Sequence, residues 1–435
     1  MAPSPDTLLG RLETLGIRLG LHGPGRLLAA LGSPQRRFPS LLIAGSNGKG
    51  STAALLAAMA GAAGYRTGLY TSPHLETVEE RLRLKGRAIS SERLTGLLTR
   101  VLAAAAAEPP TYFEALTAAA FLWFAEEEVE LAVLEVGMGG RLDATNLADP
   151  ILSVVTPISF DHVEHLGDTL AKIAREKAGI LRRGRPALTW IEDEEPAAAV
   201  AEAAREVGAE LLPAPEHVTI ESVTPNGWEC QRVSLRTPAR TYELDLALPG
   251  AHQAKNLALA VAAAEVLAGI GYPRLDAAAV TRGAAACHWP GRLEAVDLPG
   301  GRRVLLDAAH NPGGAATLAA FLAERAAEPV DLLFGVLADK DAAGILEPLA
   351  PHVARAVLTT PPSPRAKPPA DLAALLPGHE VHVEPDLGKA LDRALGLGGT
   401  TLVACGSIFL LGDVRKLLRQ RFGVPPAAAD VSTGP

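Results

Sequence analysis

Residues 41–52 constrain this chain more than any other segment, because they join a short apolar strand to an alanine-rich helix through a glycine loop. The segment reads Leu-Leu-Ile-Ala-Gly-Ser-Asn-Gly-Lys-Gly-Ser-Thr. Backbone N–H groups of a glycine loop can close around an anion because no Cβ intervenes, and the following helix adds its positive N-terminal end. Lys49 can meet phosphate charge, and Ser51 or Thr52 can place a hydroxyl on magnesium. The segment therefore predicts a phosphate-binding loop.

The spacing of this loop differs from the common pattern G-x-x-x-x-G-K-[ST]. Ile43 stands where the first glycine would be, and Gly50 separates Lys49 from Ser51. A plain glycine turn between strand and helix is the alternative interpretation, but a turn alone needs no lysine flanked by glycines. We therefore expect a nucleotide-binding loop of a particular kind.

Composition agrees with an enzyme of two α/β domains. The chain has 435 residues, of which 48% are hydrophobic and 21% charged, which is typical of well-buried globular domains. A net charge of −8 argues against a broad nucleic-acid surface. The three cysteines form no C-x-x-C pair, so we expect neither a zinc site nor disulfides, and a reducing cytoplasm fits best. The longest apolar run, residues 116–125, is too short to span a membrane.

Apolar segments alternate with alanine-rich segments, which indicates an α/β fold with a doubly wound, mostly parallel sheet. In the first part of the chain the predicted strands are 41–44, 67–70, 131–136 and 151–156, and the predicted helices are 51–63, 91–107 and 113–127. Polar-alternating segments at 218–223, 232–235 and 242–248 predict a small antiparallel sheet, followed by a helix at 252–267. A second series of strands, 303–306, 331–334, 356–359, 380–383 and 401–405, predicts a C-terminal Rossmann-like α/β domain. We therefore expect domains at 1–289 and 290–424, with a disordered tail at 425–435.

Glu135 marks a second chemical site, because it ends an otherwise apolar strand. Ligands gather at the carboxyl ends of strands in open α/β sheets. A buried carboxylate is costly when unpaired, so we expect Glu135 to face a cation. The glycine run that follows carries Arg141 and Asp143 on a loop that can approach a ligand. A structural ion pair between Glu135 and Arg141 is the alternative interpretation.

His162 follows the next predicted strand, in the sequence Ser-Phe-Asp-His. Taken alone it is read more simply as a core histidine. Alongside Ser51, Ser72 and Glu135 it becomes a metal-directed group. Oxygen ligands with one imidazole suit magnesium or manganese that bridges phosphates better than they suit zinc.

Nine motifs then occur in one order along the chain. They lie at residues 45–52, 70–75, 112–117, 135–146, 161–162, 176–179, 250–256, 290–292 and 307–312. Together they resemble the folylpolyglutamate synthase/dihydrofolate synthase branch of the Mur ligase family, over residues 15–417. The resemblance implies ATP-dependent amide synthesis, in which a carboxylate of dihydropteroate or a reduced folate is phosphorylated and then attacked by the amino group of L-glutamate.

The resemblance also implies residue roles and cofactors. Nucleotide binding falls to Asn47, Gly48, Lys49, Gly50, Ser51, Asn256, Arg292, Asp307 and His310. Dihydropteroate or folate binding falls to Leu19, Gly20, Leu21, Phe113, Glu114, Leu142, Asp143 and Ala144. Two Mg²⁺ ions and a monovalent cation are implied, with Ser51, Ser72, Glu135, His162 and Lys177 as the metal-directed residues and Lys49, His162 and Lys177 as the catalytic ones.

Lys177 resembles the lysine that is carbamylated in this family. Carbamylation needs a neutral amine, hence a lysine whose pKa is lowered by partial burial. A surface lysine on a helix is the alternative from the sequence alone.

Two other functions fit part of these observations. A switch-type P-loop NTPase would explain the loop and Glu135, but it needs no second domain that carries residues 307–312. A peptidoglycan Mur-type ligase would share the ATP chemistry, yet the Ser-Pro-His and Tyr-Phe-Glu segments indicate the folate branch. We expect a cytoplasmic monomer with no nucleic-acid or membrane partner.

Overall fold

A computed structural model describes residues 4–105 and 108–427, without the side chain of Thr14. The first sheet has eight strands: β1 (Ser40–Ala44), β2 (Thr67–Tyr70), β3 (Leu82–Leu84), β4 (Arg87–Ala88), β5 (Leu131–Glu135), β6 (Leu152–Val155), β7 (Pro186–Thr189) and β8 (Glu210–Pro213). Their order is β4-β3-β2-β5-β1-β6-β7-β8. The strands from β2 to β8 in this order are parallel, while β3 and β4 form an antiparallel edge. The carboxyl ends of β1, β2, β5 and β6 therefore meet at one edge of the sheet.

Helices cover both faces of this sheet, and its central strands β1, β2, β5 and β6 are buried throughout. They are α1 (Pro5–Gly10), α2 (His22–Ala30), α3 (Lys49–Ala62), α4 (Ser91–Ala104), α5 (Tyr112–Glu126), α6 (Val163–Leu166), α7 (Leu170–Ala178), α8 (Glu194–Val207), α9 (Ala214–His217), α10 (Ala251–Gly269) and α11 (Ala277–Ala286). One core contains α4 and α5, and the opposite core contains α3 and α10. The helices α3, α5 and α10 are apolar around most of their circumference, as expected of helices buried on several sides.

A small antiparallel sheet completes the first part of the chain. Its strands are β9 (Thr219–Asn226), β10 (Cys230–Arg236) and β11 (Thr241–Leu246), in the order β11-β10-β9. Alternate residues of β11 are buried and exposed, which is typical of a sheet with one face on a core.

The second part of the chain is another three-layer α/β unit. Its strands are β12 (Glu294–Asp297), β13 (Arg303–Leu306), β14 (Val330–Phe334), β15 (Val353–Leu358), β16 (Glu380–Val383) and β17 (Thr401–Cys405), in the order β12-β13-β17-β14-β15-β16. Only β12 is antiparallel to its neighbour in this sheet. The covering helices are α12 (Pro312–Arg325), α13 (Ala342–Leu349), α14 (Leu387–Gly396) and α15 (Ile408–Phe422). The expected α/β architecture with two larger sheets and a small antiparallel sheet is confirmed.

Two predicted segments differ from the structure. Helix α4 ends at Ala104, before the predicted end, and residues 106–107 lie outside the described residues. Of the predicted disordered tail, residues 425–427 are packed: the Pro425 carbonyl accepts a hydrogen bond from Arg415, and Ala427 is buried. Residues 428–435 lie outside the described residues.

Across the described part of the chain, no helix combines the length and apolar character needed to cross a membrane.

Candidate active site

The glycine loop connects β1 to α3, and two of its glycines are required by close neighbours. Gly45 has φ +148°, and a Cβ there would lie 1.8 Å from Thr156 Oγ1. Gly48 has φ +84°, and a Cβ there would lie 2.4 Å from Asn256 Oδ1. Any other residue would collide at either position. The same contact places Asn256, on α10, directly against the predicted phosphate loop.

Two lysines converge on one carbonyl of this loop. Lys49 Nζ donates hydrogen bonds to the carbonyls of Gly45 at 3.0 Å and Ser46 at 3.1 Å, and Lys177 Nζ donates to Gly45 at 2.7 Å. Lys177 is only 3% exposed. Burial, together with the positive charge of Lys49, lowers the pKa of Lys177 to about 7. Lys177 therefore holds a neutral amine far more readily than an ordinary lysine does.

Glu135 lies beside the first turn of α3. Its Oε2 accepts a hydrogen bond from the Ser72 N–H at 3.0 Å, and a Cβ on Gly50 would lie 3.5 Å from the same oxygen. Burial raises the pKa of Glu135, and the charge of Lys49 opposes that shift. Arg141 pairs instead with Glu176 at 2.8 Å, so the alternative pairing with Glu135 is wrong.

His162 follows β6 at the same edge of the sheet, with φ +50°. Burial lowers its pKa to about 4 although Asp161 opposes the shift, so the imidazole is neutral and can act as a ligand around neutral pH. Within the described residues, no group of three or more His, Cys, Asp and Glu side chains could hold a metal ion by itself. The hydroxyl of Ser51, the carboxylate of Glu135 and the neutral imidazole of His162 are ligand types that suit a divalent cation whose remaining oxygen ligands come from phosphate.

A buried hydroxyl supports the presence of an anion at this loop. Thr52 Oγ1, in the first turn of α3, is buried without a hydrogen-bond partner in the described structure. Buried polar groups are normally satisfied, so this hydroxyl indicates a missing partner at the helix N-terminus. A phosphate oxygen would satisfy it.

Three side chains of the second domain lie against the first domain at this edge, one on the glycine loop and two on Asp161. Asn311, the N-cap residue of α12, donates from Nδ2 to Asn47 Oδ1 at 3.1 Å. Lys340 Nζ donates to Asp161 Oδ1 at 2.7 Å, and His310 Nε2 lies 4.0 Å from Asp161 Oδ2. Sequence reasoning gave no role to Asn311 or Lys340. The signal for Lys340 was its place in an Asp-Lys-Asp sequence shortly after a buried strand.

Asp307 fixes the connection between the two domains. Its Oδ2 accepts the Leu293 N–H at 2.8 Å, and its Oδ1 accepts the Ala309 N–H at 2.9 Å. Leu293 has φ +50°, an unusual conformation that this bond helps to hold. Burial raises the pKa of Asp307, and the nearby charge of Arg292 opposes that shift. Arg292 and Asp307 thus lie close to one another.

The residues expected to bind dihydropteroate or folate form a second group. The Gly20 N–H donates to the Leu142 carbonyl at 3.3 Å, and a Cβ on Gly137 would lie 2.6 Å from the Phe113 ring. Asp143 accepts from Met138 N–H at 2.9 Å. The loop at 142–144 therefore lies between the segment at 19–21 and Phe113.

Glu114 lines a cavity of about 240 Å³, whose other walls include Arg18, Gly23 and Leu27. Its Oε2 accepts from the Thr111 N–H at 2.7 Å and from Arg18 at 2.7 Å. Its Oε1 is buried with no partner in the described structure.

Comparison with known proteins gives matches along most of the chain. Residues 43–264 match the Mur ligase middle domain, and residues 291–408 match the glutamate ligase domain of Mur ligases. The chain is 34% identical over 425 residues to the dihydrofolate synthase/folylpolyglutamate synthase of Bacillus subtilis, with 94% of this chain and 97% of that protein covered. It is also 35% identical over 416 residues to the probable bifunctional folylpolyglutamate synthase/dihydropteroate synthase of Haloferax volcanii. That match includes 93% of this chain but only 49% of the Haloferax protein.

Solved structures match over nearly the whole chain. E. coli FolC in complex with DHPP and ADP has a TM-score of 0.86 and 32% identity, and 97% of this chain and 99% of that chain are covered. A bifunctional folylpolyglutamate synthase/dihydrofolate synthase with Mn, AMPPNP and L-glutamate bound has a TM-score of 0.83 and 31% identity, with 96% and 100% covered.

Proposed function

The chain belongs to the Mur ligase family, in its folylpolyglutamate synthase/dihydrofolate synthase branch, and from that membership we propose that it adds L-glutamate to reduced folates, to dihydropteroate, or to both. ATP is cleaved to ADP and phosphate. The γ-phosphoryl group passes to the substrate carboxylate and gives an acyl phosphate. The glutamate amino group then attacks the acyl carbon, phosphate leaves, and a proton is released as the amide forms.

One observation carries this proposal beyond family membership: the phosphate loop of the first domain contacts the second domain directly, through Asn47 and Asn311. A ligase must hold an activated carboxylate and an amine against one another, and most of its rate enhancement comes from such alignment and from charge neutralisation. The cleft between the two domains presents both the loop and three side chains of the second domain, His310, Asn311 and Lys340.

The roles we propose follow from position. Lys49 and the loop N–H groups hold the triphosphate, and Asn256, Arg292, Asp307 and His310 contact the rest of the nucleotide. Ser51, Ser72, Glu135 and His162 hold divalent metal, which neutralises phosphate charge when bound. Lys340 and His310 lie where the carboxylates of glutamate can reach them. The protein does not need to supply all the ligands of this metal ion, because phosphate oxygens supply the remaining ones.

We further propose that the pteroyl part of the acceptor binds between Leu19–Leu21, Phe113 and the loop at 142–144. The unpartnered Glu114 Oε1 supplies an acceptor for N–H groups of the pterin ring. Phe113 supplies an aromatic face, on which a flat ring can stack. The protein is proposed to act as a monomer without nucleic-acid or membrane partners, and its domains to be residues 1–289 and 290–424.

Lys177 is proposed to carry a carbamate. Its amine adds to CO₂ with loss of one proton, which converts a cation into an anion with two oxygen atoms. The pKa of about 7 supports this, because the neutral amine is the reactive form. An anion on Lys177 would also be paired with the neighbouring Lys49. A second metal ion and a monovalent cation belong to the same proposal.

The test is an assay of ADP release and product mass with ATP and Mg²⁺. Dihydropteroate, tetrahydrofolate and a UDP-muramyl substrate are each supplied with and without L-glutamate. We expect product only with a pteroyl acceptor and glutamate together. Turnover with the muramyl substrate alone would favour a peptidoglycan ligase, and ADP release that needs no acceptor would favour a switch-type NTPase.

A matched pair of lysine variants checks the phosphate loop in the same assay. Lys49→Ala should lower turnover by about a thousandfold, because charge compensation for the transferred phosphoryl group is lost. The melting temperature should stay close to that of the wild type, since Lys49 bonds only to loop carbonyls. The control is Lys172→Ala. Lys172 is exposed and paired with Asp168, so its replacement should leave turnover unchanged. A fully active Lys49→Ala protein would exclude the proposed site.

A further inference from the structure

A short segment between β2 and β3, residues 72–80, reaches from the first domain to the second, and we refer to it as the strap. At its start, the Ser72 N–H donates to Glu135 Oε2 at 3.0 Å. At its end, the Glu80 carboxylate accepts the N–H groups of Leu75, Glu76 and Thr77, each at 2.9 Å. Three charge-assisted bonds to one carboxylate make the strap a compact unit. These bonds tie residues 75–77 to Glu80, and Ser72 lies three residues before Leu75 in the same segment.

The middle of the strap is seated on α15 of the second domain. Leu75 belongs to the apolar core formed by α15 and β17, although it comes from the first domain. A Cβ on Gly412 would lie only 1.9 Å from the Leu75 carbonyl oxygen. Glycine is thus required at 412 for the two backbones to approach this closely.

Arg415 joins the strap to the connection between the domains. This arginine is 1% exposed. Its Nη1 donates to Glu76 Oε1 at 2.6 Å and its Nη2 to Glu294 Oε1 at 2.6 Å. Glu294 Oε2 also accepts the Gly291 N–H at 2.9 Å. The second oxygen of Glu76 pairs with Arg419.

The charge balance of this cluster shows which part Glu76 plays. Arg415 is already neutralised by Glu294, with which it makes a two-pronged pair. An unpaired buried arginine would strongly destabilise the fold, but Arg415 stays paired with Glu294 when Glu76 is replaced. What Glu76 adds is a bond between the two domains at the strap.

We propose that Glu76 is a positioning residue: by binding the strap to Arg415 it sets Ser72 and Glu135, and so couples the geometry of the metal-binding edge to the placement of the second domain. The inference rests on the proposed function only for the assignment of Ser72 and Glu135 to metal. Substitution of a residue that orients metal ligands without binding the metal itself typically lowers metal affinity by about ten- to a hundredfold.

The first measurement is amide hydrogen exchange in the ligand-free protein. Glu76→Gln removes the anion while Arg415 keeps Glu294, and Gly412→Ala displaces the strap without changing any charge. In both variants we expect the amides of Leu75, Glu76 and Thr77 to exchange about tenfold faster, because the docked state is lost. Glu265→Gln is the control: it removes a part-buried carboxylate that accepts from Tyr242 and Thr237, far from the strap.

The second measurement is the affinity for Mn²⁺ in the presence of a non-hydrolysable ATP analogue, followed by the electron paramagnetic resonance of free Mn²⁺. We expect affinity to fall about tenfold in Glu76→Gln and in Gly412→Ala, and to be unchanged in Glu265→Gln. Neither measurement depends on turnover, so a protein without folate ligase activity would still be informative. Unchanged exchange at residues 75–77 in the folded variants, or faster exchange with unchanged Mn²⁺ affinity, would overturn the proposal.

Discussion

At the scale of single residues, the most unusual feature is that two lysines share the Gly45 carbonyl. Two ammonium groups beside one acceptor repel each other, and Lys177 is the more deeply buried of the two. Burial, together with the charge of Lys49, lowers the pKa of Lys177 to about 7. Carbamylation would remove the repulsion altogether by reversing the charge of Lys177.

We predict that the charge of the side chain at position 177, and not its size, determines turnover. Lys177→Arg keeps the cation and cannot be carbamylated, so it should be as impaired as Lys177→Ala. Acetate or formate should partly restore Lys177→Ala, because the missing element is an anionic ligand. Turnover with and without the small carboxylate measures both effects, with Lys172→Arg as the exposed control. Near-normal turnover of Lys177→Arg would show that Lys177 acts as an ordinary cation.

The pKa also gives this prediction a pH dependence. Protein stripped of CO₂ should be reactivated by bicarbonate at neutral pH, where about half of the Lys177 amine is neutral. Reactivation should weaken as the pH falls by one or two units, because the protonated amine cannot add to CO₂. Reactivation that is equally fast at about pH 5.5 would argue against a carbamate on this lysine.

The positions of Lys49 and Glu135 could be predicted from sequence because each is fixed by a local rule. Lys49 belongs to a glycine loop, and Glu135 ends an apolar strand. Asn311 and Lys340 could not be assigned in this way. Their partners Asn47 and Asp161 are 264 and 179 residues away in the chain, so only the packing of the two domains brings them together.

At the scale of elements, the N-terminus of α5 combines a structural and a binding feature. Thr111 and Glu114 form a capping box: the Thr111 side chain accepts from the Glu114 N–H, and the Glu114 carboxylate accepts from the Thr111 N–H. The same carboxylate binds Arg18 and leaves one buried oxygen without a partner. The helix start therefore holds an acceptor at the wall of the cavity.

A pair of substitutions separates these two features. Thr111→Ala removes one half of the cap and should cost about 1 kcal/mol of stability, with little change in the KM for the pteroyl substrate. Glu114→Gln keeps the size of the side chain but removes the anion, so it should raise that KM by about tenfold or more. Steady-state kinetics and chemical denaturation check both variants. Equal KM changes in the two proteins would mean that Glu114 acts only as a cap.

The strands that are buried along their whole length were predicted well. These are β1, β2, β5 and β6, and they were placed within a residue or so. The partly exposed strand β16 was placed as well. The strands β7 and β8 were missed. Each has only four residues, both contain proline, and β8 lies at the partly exposed edge of the sheet, so neither shows the apolar run of a central strand.

At the scale of the whole molecule, two partly buried histidines lie near the contact between the domains. His74 lies in the strap, where its Nδ1 accepts from Arg81 Nε at 3.0 Å. His252 lies at the start of α10, close to Gly250 and to the connection at Leu293. Burial, with the charge of Arg81, lowers the pKa of His74 to about 3. Burial, with the charge of Arg292, lowers that of His252 to about 4.

The lowered pKa values of both histidines predict that mild acid destabilises the folded protein. Each has an ordinary pKa of 6.5 when exposed, so between pH 6.5 and about 4 the unfolded chain binds more protons than the folded one. Stability is therefore fully present above pH 6.5 and falls as the pH is lowered, by up to about 1.4 kcal/mol per pH unit for each histidine. Chemical denaturation at several pH values between about 7.5 and 4.5 measures this slope. His74→Gln and His252→Gln should each flatten it, whereas His217→Gln, at an exposed position, should leave it as steep as in the wild type. If the two buried variants keep the wild-type slope, protons taken up elsewhere govern the acid response, and the contact between the domains does not depend on these imidazoles staying neutral.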